Sequence, residues 1–158
     1  MKKGFTLIEL LAVILIIALI AVIAVPNTFK VSTDVKKDMY CEKVDLLTST
    51  TTRWADDHKS TLKETCYCEY SIERLVTTGK LKNEAGKGAD TKFIENPYNS
   101  ANMISEGSKV GVYKKNNRTY AFFLKGSSDV DPYSSDINCP NLTSIISSKC
   151  TSGCPTMN

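Results

Sequence analysis

A single histidine serves the whole 158-residue chain. No nucleophile, base and orienting group stand at a recognisable spacing around it, so nothing argues for an active site. An excess of one charge is also missing. Twenty basic against 17 acidic side chains leave +3, and two of the cations, Lys2 and Lys3, lie ahead of an apolar run. The body of the chain therefore has no basic surplus with which to hold nucleic acid. The stretch GKLKNEAGKGADTK from Gly79 to Lys92 is rich in glycine and lysine, but it lacks the Walker spacing and no strand precedes it. It reads as a loop and not as a phosphate cradle. From Phe5 to Val25 polar residues are scarce as well, with Thr6 and Glu9 the only two.

That run is the strongest feature present. As a helix rising about 1.5 Å per residue, Phe5 to Val25 would reach about 31 Å, which matches a hydrocarbon core of ~30 Å. Lys2 and Lys3 flank its start, and the positive-inside tendency then leaves Met1 in the cytoplasm and residues 26–158 outside. A secretory signal cut after Val22-Ile23-Ala24 and a plain anchor that keeps the whole chain are both compatible with such a run. Glu9 is the anomaly. A carboxylate inside a spanning helix costs about 2.5–3.5 kcal/mol at mid-span and less near an end, so it calls for a partner.

Gly4-Phe5-Thr6-Leu7-Ile8-Glu9, behind a short basic leader and ahead of an apolar run that ends at a proline, resembles the processing motif of type IV prepilins and the related pseudopilins. The resemblance implies a leader of residues 1–4, cleavage between Gly4 and Phe5 by a membrane prepilin peptidase, and N-methylation of Phe5. Residues 5–25 would stay as the membrane and filament-core helix, and residues 26–158 would form an extracytoplasmic head. Cleavage frees the α-amino group of Phe5 one helical turn from Glu9, and pairing between them, within a chain or between neighbours, would set the register of assembly. The implied partners are further copies or co-assembling pilins, the peptidase, the cytoplasmic membrane and the pilus assembly machinery. The implied role is a structural subunit of a surface filament for adhesion, twitching motility or aggregation. A pseudopilin of a type II secretion or DNA-uptake machine is the alternative, and a membrane-anchored thiol or metal enzyme is a third reading from another class.

Beyond Pro26, which predicts a kink or local opening between Ala21 and Pro26, the apolar period continues. Tyr40, Val44, Leu47, Thr51 and Trp54 fall on one stripe, giving a helix of about fifty residues to near Lys59, membrane-spanning in one half and amphipathic in the other. Relatives often carry a glycine in mid-span; its absence between Leu10 and Val25 speaks against extensive melting there. His58, one turn past Trp54, reads as a solvated or capping residue. Ser71 caps a short helix that Gly79 stops, and NPYN at Asn96–Asn99 is turn chemistry. Val110 and Val112, a turn at Lys115–Arg118, and Tyr120, Phe122 and Leu124 predict a β-hairpin with a single apolar face. One more strand joining it gives an α+β head, a small antiparallel sheet packed on the long helix.

All six cysteines, Cys41, Cys66, Cys68, Cys139, Cys150 and Cys154, follow the apolar run, as suits disulfides formed after export. Residues 126–158 are poor in core side chains and need such staples; in the resembled family a disulfide commonly ties the C-terminal region to the sheet. Cys66 and Cys68 are expected to reach different partners, Cys41 taking one of them and a C-terminal cysteine the other. A zinc site from Cys66, Cys68, Cys150, Cys154 and His58 matches no common ligand spacing. Asp129, Asp131 and Asp136 crowd one loop in a part of the head where some pseudopilins hold calcium, although a solvated loop is the ordinary reading. No cofactor is expected.

Overall fold

The computed structural model describes residues 6–85, 91–126, 139 and 148–158, with 23–30 described by their backbone alone. Gly4, Phe5, Asp129, Asp131 and Asp136 lie outside the described residues. Five elements follow in order: α1 (Leu7–Asp57), β1 (Cys68–Ser71), α2 (Ile72–Thr77), β2 (Lys109–Lys115) and β3 (Arg118–Leu124). The chain divides into two compact units, Met1–Lys36 and Lys37–Asn158.

α1 has 51 residues and continues through Pro26 without interruption. From Thr6 to Val22 every side chain is exposed, among them Leu7, Ile8, Ile16 and Leu19. The part belonging to the second unit behaves differently. Tyr40, Val44, Leu47, Thr51 and Trp54 are all buried, as their spacing of four and three requires of one helix face. The run Thr50-Thr51-Thr52 has poor intrinsic helix propensity because β-branching restricts its rotamers. Back-donation satisfies the hydroxyls. Thr51 Oγ1 donates to the Leu47 carbonyl at 2.6 Å and Thr52 Oγ1 to the Thr48 carbonyl at 2.8 Å, so Thr51 sits in the core with no unpaired polar atom. At the end of the helix, the His58 ring stacks on Trp54 with centroids 4.7 Å apart. Its Nδ1 lies 2.9 Å from the Trp54 carbonyl; since a carbonyl only accepts, Nδ1 donates, and the histidine caps the last turn.

The sheet has the order β1-β2-β3, antiparallel throughout. Asn116 and Asn117, at φ 51° and 60°, make the two-residue turn that matches strand twist. This turn overturns the single apolar face expected of the hairpin. A two-residue loop pairs Lys115 with Arg118, and from there every even-numbered residue lies opposite an odd-numbered one: Val110 opposite Phe123, Val112 opposite Ala121, Tyr113 opposite Tyr120. Val110 and Val112 thus share a face with Phe123, while Tyr120 and Phe122 project from the other. The first face, extended by Cys68 and Tyr70 of β1, joins the α1 stripe in the main core. There Phe123 meets Tyr40 edge-on at 6.4 Å, and Tyr70 meets Trp54 at 4.9 Å. The second face is aromatic. Tyr113 stacks on Tyr120 at 5.3 Å, and Phe122 meets Tyr67 at 5.1 Å. The Phe122 ring lies across Gly111, where an added Cβ would come within 2.3 Å of it; a side chain there would evict the ring.

α2 begins and ends as its sequence indicates. Ser71 Oγ accepts from the Arg74 N–H at 3.2 Å, and Gly79 at φ 68° takes the left-handed turn that closes the helix. The NPYN turn is held by Asn96 Oδ1, which accepts from the Tyr98 N–H at 3.0 Å.

Candidate assembly site and its stapled head

The first described turn of α1 answers the question of Glu9's partner in a way that the apolar run did not suggest. The Thr6 N–H donates to Glu9 Oε2 at 2.9 Å, the Thr6 hydroxyl donates to the same oxygen at 2.8 Å, and the Glu9 N–H donates back to Thr6 Oγ1 at 3.4 Å. This is a reciprocal capping box, with threonine at the N-cap and glutamate three residues on. It satisfies two of the amide groups that a helix start leaves orphaned and sets the anion at the positive end of the helix dipole. Thr6 belongs to this site as Glu9's hydrogen-bond partner, and T-x-x-E ahead of an apolar run is the signature of the cap. The pairing expected between Glu9 and the Phe5 amine falls outside the described residues.

Among the described residues no helix is long and apolar enough to cross a membrane. The side chains described at the start of α1 run from Leu7 to Val22, about 24 Å of helix against the ~31 Å of the full Phe5 to Val25 run.

The cysteines pair as Cys41–Cys139, Cys66–Cys150 and Cys68–Cys154. Cys66 and Cys68 do reach different partners, but both partners are C-terminal, and Cys41 takes Cys139 instead of either. The reason is positional. Tyr67 pairs in parallel with Lys149, its N–H donating to the Ser148 carbonyl at 3.0 Å and its carbonyl accepting from the Cys150 N–H at 2.9 Å. That bridge brings the chain's last eleven residues beside Cys66 and Cys68. Beyond it the tail is held by Tyr70, whose hydroxyl donates to the Pro155 carbonyl at 2.8 Å, and by Arg74 Nε, which donates to the Met157 carbonyl at 2.9 Å. Met157 is buried. The sulfurs of Cys68, Cys150 and Cys154 do converge, all within 4.8 Å of one another. Each is committed to a disulfide, which leaves no thiolate to ligate zinc, and His58 is occupied at the end of α1.

Two titrating groups mark this edge. Burial works against ionisation of Glu69, but hydrogen bonds and charge from Lys149 at 2.5 Å and Lys109 at 3.3 Å outweigh it and hold the carboxyl below its ordinary range. Burial pushes the Tyr70 hydroxyl up to about 12.

Residues 1–25 match the Prokaryotic N-terminal methylation motif, the class III signal, in agreement with a type IV pilin or pseudopilin. The matched segment contains Gly4, Phe5 and the Thr6–Glu9 cap, and it supports a pilin-like or pseudopilin precursor, a structural type of subunit. Comparison with curated proteins and with solved structures gives no match.

Proposed function

We propose that this chain is a type IV pilin-like structural subunit. A prepilin peptidase cuts it between Gly4 and Phe5, Phe5 is N-methylated, and the processed chain leaves the cytoplasmic membrane by polymerising into a surface filament used for adhesion, motility or aggregation. The match of the methylation motif over residues 1–25 carries this reading. The exposed apolar residues around α1 from Leu7 to Val22 support it, because a helix apolar on every side obtains its burial from outside its own domain, in lipid or among like helices. Six cysteines joined in three disulfides suit a head that works outside the cell. Glu9, oriented by Thr6 at the helix start, would meet the methylated amine of a neighbouring chain and select the stagger between subunits.

N-terminal sequencing and intact mass of the chain recovered from sheared cells test the proposal. The expected chain begins at N-methylated Phe5. A chain that retains Met1, or one that begins at Val25, would overturn it. Glu9→Gln is expected to insert and to be cleaved normally yet to be absent from fibres.

A further inference from the structure

The second unit carries an open groove of about 610 Å³ between α1 and the residues Glu84, Glu95 and Pro97. Its walls are apolar at Met39, Leu46 and Pro97, and Met39 and Leu46 remain about half exposed. Among its described lining residues the charge is acidic. Lys43 is spent on Glu84 Oε1, whose other oxygen accepts from the Glu95 N–H at 2.7 Å. The Glu42 and Glu95 carboxylates, on opposite sides of the groove, have no partner among the described residues. Such a surface suits a segment that offers two or three cations on a short stem.

This chain presents such a segment at the tip of the β2–β3 hairpin. Lys115 and Arg118 stand side by side across the two-asparagine turn, exposed, with half-buried Lys114 next to them. None of the three side chains has a partner among the described residues. The tip cannot fill the groove of its own chain. It is fastened at the far end of α1, where the Thr119 hydroxyl donates to Asp56 and the Lys114 N–H to the Lys63 carbonyl at 3.4 Å. Asp56 lies ten residues beyond Leu46, on the order of 15 Å along the helix.

We infer that the hairpin tip of one copy docks in the acidic groove of a second copy, with Lys115 and Arg118 against Glu42 and Glu95. The two patches are different surfaces, so the contact can repeat head-to-tail, and in a filament, where the rotation between copies does not close, its repetition gives an open helical polymer. The offset between groove and tip displaces successive heads along the direction of α1. This inference rests on the filament reading and names the contact between heads.

The test uses the full chain in cells that carry its assembly machinery, and it reads the processed chain recovered in sheared fibres. Glu42→Lys with Glu95→Lys, and separately Lys115→Glu with Arg118→Glu, are each expected to reduce fibre-borne chain by about tenfold or more, and all four substitutions together to restore most of it. Thiol counting and thermal melting of the extracted variants confirm that the heads fold. Should a reversed head misfold, the Glu42→Gln, Glu95→Gln chain takes its place, with a severalfold loss expected. Normal fibres from either reversed chain would overturn the inference, as would failure of the combined chain to recover. Loss from the groove variant alone would mean that something other than the hairpin sits there. If the unaltered chain forms no fibres, the filament reading fails and this contact with it; if it forms fibres that the reversals leave intact, only the contact fails.

Discussion

Two stretches of the same helix differ in what holds them. Leu7 to Val22 presents apolar side chains on every side with none buried, whereas Tyr40 to Trp54 buries one stripe and leaves its other faces polar apart from Leu46. Helix propensity does not separate them, and if anything the threonine-rich second stretch is the poorer former. The difference lies in the source of burial. The second stretch is held by tertiary contact with Val110, Val112 and Phe123, while the first buries no side chain from Leu7 to Val22; under the proposed filament reading its burial would come from lipid or from other helices.

Substitutions on either side of that divide should act on different observables. Trp54→Ala removes a buried ring that touches His58 and Tyr70 and should destabilise the head by about 3–5 kcal/mol in denaturant unfolding. Ile16→Ala should leave the same midpoint unchanged; an equal loss would erase the distinction between the two stretches. Replacing Cys68 and Cys154 together by serine opens a loop with a sequence separation of 86 and should cost about 2–4 kcal/mol. Because the Cys66–Cys150 bond still holds the neighbouring bridge, hydrogen exchange should rise first in residues 151–158 and not in α1. The alkaline limb comes next. Tyr70 is neutral in the folded head up to about 12, so its stabilising contribution is intact below the ordinary tyrosine value near 10 and is lost as pH rises from there through 12. Tyr70→Phe should flatten that limb, and an unchanged slope would assign it to another group. The smallest effect is acidic. Glu69 is depressed, so its contribution is present above the ordinary carboxylate range and fades as pH falls below about 4. Lys149 and Lys109 are largely exposed, which limits Glu69→Gln to under about 1 kcal/mol at neutral pH, vanishing in acid.

Much of this was legible in the residues because it is local. The α1 stripe follows from the 3.6 period, the α2 boundaries from Ser71 and Gly79, and the hairpin from its two asparagines. The hairpin also shows where local reading stops. Alternation was visible in both strands, yet which alternating set faced α1 depended on whether the turn held two residues or three, and only the paired register settles it. The Thr6–Glu9 cap is also local, since T-x-x-E puts the glutamate at the third position of a helix that threonine caps, and the same carboxylate reads as a charge in an apolar run only when Thr6 is left out.

By itself the sequence determined the processing motif, the apolar run, the helical stripe and the oxidisable set of cysteines, since each is written in neighbours or in a fixed period along the chain. The tertiary structure alone decided that Cys41 meets Cys139, that both cysteines flanking Tyr67 meet the C-terminal tail, and that the sheet is apolar on two faces. Those outcomes depend on which distant segments share a surface. A long-range contact is selected by the summed burial and hydrogen bonding of the whole head, and no short window of residues contains that sum.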